Sequence, residues 1–247
     1  MSGRAAVVLA AGEGTRMKSN LPKVLHLLEG KPLLAWVLDA AAGAGFDRTV
    51  VVVGHGGERV REEMAGRKVE FVWQRERKGT GHAVMQTAPL LERFDGTVAV
   101  LSGDVPLVRA GTLRAMAERH EREGAAATLA TVRMEDPSGY GRIIRDGGGG
   151  VARIVEQKDA GEAERRIDEI NAGTYCFRAG PLFETLPELR ADNAGGEYYL
   201  TDTIGVFVKR GLPVLPYEVE DLWEVFGINT SEHLRLAARR LREGRDG

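Results

Sequence analysis

The stretch Ala5-Ala6-Val7-Val8-Leu9-Ala10-Ala11-Gly12-Glu13-Gly14-Thr15-Arg16-Met17, close to the amino terminus, decides the predicted fold. Its first half is a continuous apolar run, which is typical of a strand buried on both faces of a sheet. The glycines that follow predict a loop whose backbone N–H groups can approach phosphate oxygens, because glycine carries no side chain. The sequence does not fit the dinucleotide-binding fingerprint, because Met17 stands where the third glycine of that motif belongs. It does not fit the Walker loop either, because the glycine that this motif requires before Lys18-Ser19 is absent. A Gly-x-Gly pair alone is equally typical of a tight turn, so the interpretation depends on the residues that follow.

The first half of the chain repeats this strand-and-helix pattern. Apolar runs predict strands at residues 5–9, 49–53, 69–73 and 98–101. Helices are predicted between them at residues 32–44, 58–64 and 81–91. Continuous apolar strands separated by helices indicate an α/β fold, a Rossmann-like and mostly parallel sheet with helices on both faces. Ligands of such sheets bind beyond the carboxyl ends of the strands, where the loops at residues 12–16 and 102–106 lie.

The second half is predicted to be richer in β structure. Alternating apolar residues predict strands, some of them antiparallel, at residues 127–132, 141–145, 151–156, 173–177, 215–219 and 224–228. Helices are predicted at residues 197–209 and 231–242, and the charged run 158–169 is interpreted as a solvated loop. We therefore expect one α/β domain over residues 1–229 with an inserted β-rich part, and a C-terminal helical segment over residues 230–247.

Composition narrows the possible functions. The 247 residues include 34 Lys and Arg against 36 Asp and Glu, a net charge of −2, which argues against a general nucleic-acid binder. No apolar run is long enough for a membrane span and no signal peptide is recognisable, so we expect a cytoplasmic protein that does not bind membranes. Cys176 is the only cysteine, which rules out an internal disulfide and a cysteine metal cage.

Two cations follow the glycine-rich loop. Arg16 lies within it, and Lys23 lies in the string Pro22-Lys23-Val24-Leu25-His26. An arginine can bind phosphate oxygens through two parallel hydrogen bonds, and a lysine supplies a compact charge. The loop and its two cations together favour a phosphate-binding function.

These motifs resemble the opening of the bacterial N-acetylglucosamine-1-phosphate uridylyltransferases, which normally form the N-terminal half of a bifunctional protein that also acetylates glucosamine 1-phosphate. The resemblance rests on the residues Leu-Ala-Ala-Gly-x-Gly-Thr-Arg-Met at 9–17 and Leu-Pro-Lys-Val-Leu-His at 21–26. The similarity continues in order through Gln74 and residues 79–83, 103–104, 139–142, 156, 171–173, 197–202 and 227–229. It thus covers almost the whole chain.

The resemblance implies a role for each matching residue. Arg16, Lys23 and Asp104 would be catalytic, the two cations by binding phosphates. Asp104 and Asn229 would hold Mg²⁺, which prefers such oxygen ligands. The substrate-binding residues would be Leu9, Ala10, Ala11, Gly12, Gln74, Gly79, Thr80, Gly103, Gly141, Glu156, Asn171 and Asn229. Among them Gln74 would contact the edge of the base, and Gly141, Glu156 and Asn171 the sugar, in the inserted β-rich part. Ser102 departs from the family, whose members often carry tyrosine there.

The implied reaction joins UTP to N-acetylglucosamine 1-phosphate and yields UDP-N-acetylglucosamine and pyrophosphate for cell-envelope synthesis. A sugar phosphate is mostly dianionic at neutral pH, so the enzyme must align it and neutralise phosphate charge rather than remove a proton. None of the five histidines shows the spacing of metal ligands, and we assign none a catalytic role.

Three alternatives stay open. A related nucleotidyltransferase could use another sugar 1-phosphate or another base, although the string at residues 22–26 argues against it. A non-catalytic nucleotide-sugar-binding regulator is disfavoured because Arg16, Lys23 and Asp104 are all present. A dinucleotide-dependent oxidoreductase is disfavoured by Met17. Since no hexapeptide repeat follows residue 229, we expect uridylyl transfer without acetyl transfer, and a largely monomeric protein.

Overall fold

The computed structural model describes residues 3–243. Its strands are β1 (Gly3–Ala10), β2 (Leu27–Leu28), β3 (Lys31–Pro32), β4 (Arg48–Val53), β5 (Glu70–Trp73), β6 (Gly96–Ser102), β7 (Ala127–Arg133), β8 (Arg142–Arg145), β9 (Val151–Val155), β10 (Glu169–Arg178) and β11 (Val214–Glu218). Its α-helices are α1 (Leu33–Gly43), α2 (Gly57–Glu63), α3 (Thr80–Met85), α4 (Ala88–Leu91), α5 (Ala110–Arg122), α6 (Glu162–Arg165), α7 (Ala179–Thr185), α8 (Asp202–Lys209) and α9 (Ser231–Glu243). Short 3₁₀-helices lie at Thr15–Met17, Lys23–Leu25, Leu186–Glu188 and Leu222–Val225.

Within residues 3–243 nine strands form one mixed sheet, and its main path runs β11-β7-β10-β6-β1-β4-β5. The pairs β1–β4, β1–β6, β4–β5 and β7–β11 are parallel. Strand β10 runs antiparallel to both β6 and β7, and it also carries the hairpin of β8 and β9. The predicted fold class, a mostly parallel sheet with an inserted β-rich part, is confirmed.

The sheet separates two hydrophobic clusters. Along β1, Ala6 and Val8 face one cluster, to which α1, α2 and α5 contribute, while Ala5 and Val7 face the other, to which α3, α7 and α8 contribute. Alternate residues of a strand point to opposite faces, so a central strand between two helical layers must be apolar throughout. This is why the apolar run at the amino terminus predicts the fold correctly.

Several element predictions are wrong in detail. Residues 224–228 form no strand, because the Asp221 carboxylate accepts a hydrogen bond from the Trp223 N–H at 3.0 Å and caps a 3₁₀-helix there. The helix predicted from residue 197 begins at Asp202, because the preceding backbone is bonded elsewhere: the Tyr198 N–H donates to the Lys78 carbonyl at 2.7 Å. Residues 81–91 form two helices instead of one, with Pro89 in the first turn of the second. The charged run predicted as a loop contains α6.

The predicted C-terminal helix is present as α9. Leu234, Ala237, Ala238 and Leu241 pack with Leu28, Leu33 and Ile228, so the apolar stripe seen in the sequence lies against the α/β domain. Residues 244–247 of the predicted segment lie outside the described residues. No helix between residues 3 and 243 is both long enough and apolar enough to cross a membrane.

Candidate active site

The candidate site lies where β1 and β6 end side by side. These parallel strands pair with Leu9 opposite Ser102, and beyond that pair the Gly103 N–H donates to the Leu9 carbonyl at 2.9 Å. The glycine-rich loop and the loop that carries Asp104 are therefore joined at their base. This is the edge of the sheet at which the sequence predicts ligand binding.

The predicted catalytic and metal-binding residues converge at this edge. The Lys23 ammonium donates to Asp104 Oδ2 and, at 3.1 Å, to Asn229 Oδ1. The Arg16 guanidinium donates to the same Asn229 oxygen at 2.8 Å. Lys23 and Asp104 are half-buried, with 15% and 19% of their side chains exposed. Residues from four separate parts of the chain thus form one cluster.

Local structure holds Lys23 in place. Lys23 begins a 3₁₀-helix in which the next two residues, Val24 and Leu25, are buried in the core. Gly14 packs directly against it: a Cβ at this position would lie 2.5 Å from the Lys23 Cβ, and the backbone has a φ of +65°. A glycine is required at position 14 by both the close approach and the left-handed backbone.

The amide of Asn229 is oriented by its neighbours. Its Nδ2 donates to the Gly227 carbonyl at 3.3 Å, which leaves Oδ1 to accept from the two cations. The adjacent Ile228 is fully buried, and its N–H donates to the Asp104 carbonyl at 2.8 Å. The backbone of this segment therefore carries Asn229 to Asp104.

Asp104 and Asn229 present oxygens that suit a hard divalent cation. Both oxygens contact the Lys23 ammonium, so they point at a single cation position. Among residues 3–243 no group of three or more His, Cys, Asp or Glu side chains is arranged to hold a metal ion. A protein that supplies only two oxygens needs further ligands from phosphate and water, as is common for magnesium.

A cavity of about 270 Å³ opens at the carboxyl end of β1, where the glycine-rich loop begins. It is lined by six residues predicted to bind nucleotide, namely Leu9, Ala11, Gly12, Gln74, Gly79 and Thr80, together with Arg77, Ala83 and Glu197. Ala10 does not line it, because its side chain packs in the core on the opposite face of β1. The sequence analysis does not single out Arg77, and it gives Glu197 no role although this residue lies in the matched motif 197–202. Arg77 forms an ion pair of 2.8 Å with Glu13, which links the glycine-rich loop to the segment after Gln74.

The back of this cavity depends on Gly79. Its backbone has a φ of +100°, and a Cβ there would lie 2.5 Å from the Tyr198 carbonyl oxygen. The next residue, Thr80, accepts a hydrogen bond from the Leu200 N–H at 3.0 Å. The segment that carries Gly79 and Thr80 is therefore held by residues 198–200, which were predicted as helix.

The three residues predicted to contact the sugar lie together on the inserted β-rich part. The Asn171 N–H donates to the Gly141 carbonyl at 2.8 Å, and a Cβ at Gly141 would lie 3.5 Å from both Glu156 carboxylate oxygens. Glu156 accepts a hydrogen bond from the Thr201 hydroxyl at 3.1 Å. Burial raises the pKa of Glu156, and the nearby charge of Asp202 adds to the effect. A wider cavity of about 620 Å³ adjoins this carboxylate.

The side chain of Asn171 forms two hydrogen bonds within its own strand, β10. Its Nδ2 donates to the Tyr175 hydroxyl at 2.6 Å, and its Oδ1 accepts from the Gly173 N–H at 3.2 Å. These bonds span an irregularity in β10 between Asn171 and Tyr175. Ser102 lies beside it, since a Cβ at Gly173 would lie 3.7 Å from the Ser102 hydroxyl oxygen. The one position that departs from the family therefore faces the segment that carries Asn171.

Tyr140 and Arg142 lie next to the residues that are predicted to contact the sugar. Burial raises the pKa of Tyr140, and the charge of the nearby Asp104 raises it further. Arg142 is 1% exposed and donates to the Tyr140 carbonyl and to Gln157. It fixes the loop before Gly141 to the segment after Glu156. The sequence reasoning gave neither residue a role, although both lie in the matched motif 139–142.

A comparison with known proteins identifies the family. The chain matches the MobA-like NTP transferase domain over residues 6–202. The chain belongs to this family. It is therefore a nucleotidyltransferase domain, and its predicted resemblance is confirmed by the curated relatives.

The chain is 51% identical over 238 residues to the "Bifunctional protein GlmU" of Pelotomaculum thermopropionicum, covering 96% of this chain and 52% of the relative. It is 49% identical over 243 residues to the protein of the same name from Pelobacter propionicus, covering 98% of this chain and 53% of the relative. The chain thus spans about half the length of the curated relatives it matches.

Solved structures support the fold. The crystal structure of a UDP-glucose pyrophosphorylase with UDP-glucose superposes with a TM-score of 0.75 at 19% sequence identity, over 98% of this chain and 99% of that one. The apo structure of a UDP-glucose pyrophosphorylase gives a TM-score of 0.78 at the same identity and coverage. At this identity the likeness concerns the fold alone.

Proposed function

We propose that the protein transfers a uridylyl group from UTP to N-acetylglucosamine 1-phosphate, giving UDP-N-acetylglucosamine and pyrophosphate. The observation that carries this proposal is the convergence of Arg16, Lys23, Asp104 and Asn229 at the sheet edge where β1 and β6 end. Leu9 and Gly12, at the end of the same strand β1, line the cavity that contains Gln74. Relatives named "Bifunctional protein GlmU", about half identical over nearly the whole chain, support this substrate pair. The product would serve cell-envelope synthesis in the cytoplasm.

Charge neutralisation is the main task of this site. Arg16 and Lys23 would donate hydrogen bonds to the phosphate oxygens of UTP and of the sugar phosphate, after exchanging their present acceptors for them. Asp104 and Asn229 would hold Mg²⁺, which neutralises phosphate charge when bound. The negative charge of the transferring group is then met by positive groups fixed in a half-buried site, where electrostatic interactions are stronger than in water.

No general base is needed for this reaction. The second pKa of a phosphate monoester is near ~6, so the attacking oxygen is already deprotonated at neutral pH. What remains is alignment of that oxygen with the α-phosphorus of UTP. Gly141, Glu156 and Asn171 would hold the sugar on one side of the cation cluster, and the cavity around Gln74 would hold uridine on the other.

The proposal is tested by product identification. Purified protein is incubated with Mg²⁺, UTP and N-acetylglucosamine 1-phosphate, and the products are separated and identified by mass spectrometry. We expect UDP-N-acetylglucosamine and pyrophosphate in equal amounts, and neither after the metal is chelated with EDTA. Binding of both substrates without any product would instead favour a nucleotide-sugar-binding regulator. Product formed equally well from another sugar phosphate or nucleotide would favour a related nucleotidyltransferase.

A further inference from the structure

The side-chain amide of Gln74 has a fixed orientation. Gln74 is 5% exposed, and its Nε2 lies 2.9 Å from the Gly79 carbonyl oxygen and 3.1 Å from His82 Nδ1. A carbonyl oxygen can only accept, so the amide atom that faces Gly79 must be the NH₂ group. Both hydrogens of that group are then used, one on each partner.

His82 faces an amide nitrogen on each side of its ring: Gln74 Nε2 lies 3.1 Å from Nδ1, and Gln86 Nε2 lies 3.3 Å from Nε2. The shorter contact assigns the acceptor role to Nδ1, which is the neutral tautomer with its proton on Nε2. Burial lowers the pKa of His82, and the charge of Lys78 lowers it further, which favours the neutral ring. The Gln86 amide has a shorter bond elsewhere, because it donates to the His82 carbonyl oxygen at 3.0 Å, and its contact with the ring is to Nε2 and not to Nδ1.

The free atom of Gln74 is consequently Oε1, which receives no hydrogen bond from the described residues. Gln74 lines the nucleotide cavity, so this cavity offers a hydrogen-bond acceptor to a base. Uracil presents a donor at N3, whereas cytosine presents an acceptor at the same position. An acceptor held at Oε1 therefore pairs with uracil and opposes cytosine.

We propose that His82 is a positioning residue for base selection, which holds the Gln74 amide with its oxygen toward the base. This inference rests on the proposed uridylyl transfer. Without an acceptor at residue 82, one amide hydrogen loses its partner and the amide is held by Gly79 alone. A Gln74 side chain that rotates can offer its NH₂ group to cytosine N3. Uracil then loses part of its preference while cytosine gains.

The test compares variants that remove or replace the acceptor. His82→Leu and His82→Phe remove it, and the second keeps the volume of a ring. His82→Asn places an amide oxygen near the former Nδ1 position and is the rescuing control. The kcat and KM are measured for UTP, CTP and dTTP with N-acetylglucosamine 1-phosphate. Thymine presents the same N3 donor as uracil, so dTTP depends on the Gln74 amide as UTP does. The ratio of kcat/KM for UTP over dTTP therefore reports effects that do not depend on the amide orientation.

We expect His82→Leu and His82→Phe to lower the ratio of kcat/KM for UTP over CTP about five- to tenfold, the worth of one lost hydrogen bond, mainly through KM. The ratio for UTP over dTTP should not change, and His82→Asn should recover most of the UTP preference. Equal losses with UTP and CTP in both apolar variants, or no recovery in His82→Asn, would overturn the inference. Failure of the wild-type protein to use UTP would overturn the proposed function instead, so the two failures are distinguishable.

Discussion

Replacing Asp104 should separate catalysis from folding. Asp104→Asn keeps the size of the side chain and one oxygen but removes the charge, and Asp104→Ala removes both. In the structure the carboxylate meets the Lys23 ammonium, which also contacts Asn229 Oδ1 at 3.1 Å. Lys23 therefore keeps one acceptor in either variant, and its ammonium stays partly exposed to water.

The two expected effects differ in size. A hydrogen bond to a charged group contributes about 1.5–3 kcal/mol to stability, so Asp104→Ala should lower the melting temperature by about 3–10 °C and Asp104→Asn by less. Loss of the only carboxylate in the proposed metal site should lower kcat by about 10³-fold or more, which corresponds to about 4 kcal/mol of transition-state stabilisation. The loss of turnover therefore greatly exceeds what reduced stability could cause at 25 °C.

The assay measures pyrophosphate release at saturating substrate, with melting temperatures from calorimetry. Asp39→Asn is a matched control, because Asp39 also pairs with a lysine, Lys31, and with Arg67, but on the surface away from the sheet edge. It should keep wild-type turnover. Near-wild-type kcat in folded Asp104→Asn and Asp104→Ala would refute the assignment of Asp104 to the reaction.

Three further predictions address phosphate binding, the sugar carboxylate and pH. Arg16→Ala and Lys23→Ala should each lower kcat more than they raise the KM for the sugar phosphate, because the two cations stabilise the phosphate charge most strongly in the transition state. If both variants changed only KM, Arg16 and Lys23 would be residues that bind the substrate in its ground state. Because burial raises the pKa of Glu156, its ionised form destabilises the folded protein at pH 7. Glu156→Gln should therefore raise the melting temperature at pH 7 while raising the KM for the sugar phosphate, and a lower melting temperature would contradict this. Burial lowers the pKa of His120 to about 4. Between pH 6.5 and pH 4 the His120 ring is therefore protonated in the unfolded chain but neutral in the folded protein. Stability should then fall by about 3 kcal/mol between pH 6.5 and pH 4, and His120→Leu should show a shallower dependence in urea titrations; identical slopes would exclude His120 as the cause.

The sequence predicts the parts of the site that depend on strand order. The apolar run of β1 and the loops after β1 and β6 follow from period and composition, and parallel pairing then brings Gly103 to Leu9. Asn229 lies 125 residues after Asp104 in the sequence, and its metal-binding role is predicted from the resemblance alone. Its approach depends on one backbone bond, from Ile228 to Asp104, that no local pattern indicates.

Tertiary hydrogen bonds explain where the sequence predictions failed. Residues 197–201 are predicted as the first turn of a helix, but the Tyr198 N–H donates to the Lys78 carbonyl and the Leu200 N–H donates to the Thr80 hydroxyl, so the helix starts later. The orientation of the Gln74 amide likewise depends on two partners, Gly79 and His82, whose positions are set by the fold. Periodicity reports which face of an element is buried and cannot report such pairings.

The most direct test of the proposed reaction is the specificity of pyrophosphate release. The kcat/KM is measured with UTP, CTP, GTP, ATP and dTTP against N-acetylglucosamine 1-phosphate, and with UTP against glucose 1-phosphate. We predict a clear maximum for UTP with N-acetylglucosamine 1-phosphate, because a site that hydrogen-bonds a substrate group is left with unpaired polar atoms when that group is absent. Equal kcat/KM values for the two sugar phosphates, or a nucleotide preferred over UTP, would contradict uridylyl transfer to N-acetylglucosamine 1-phosphate.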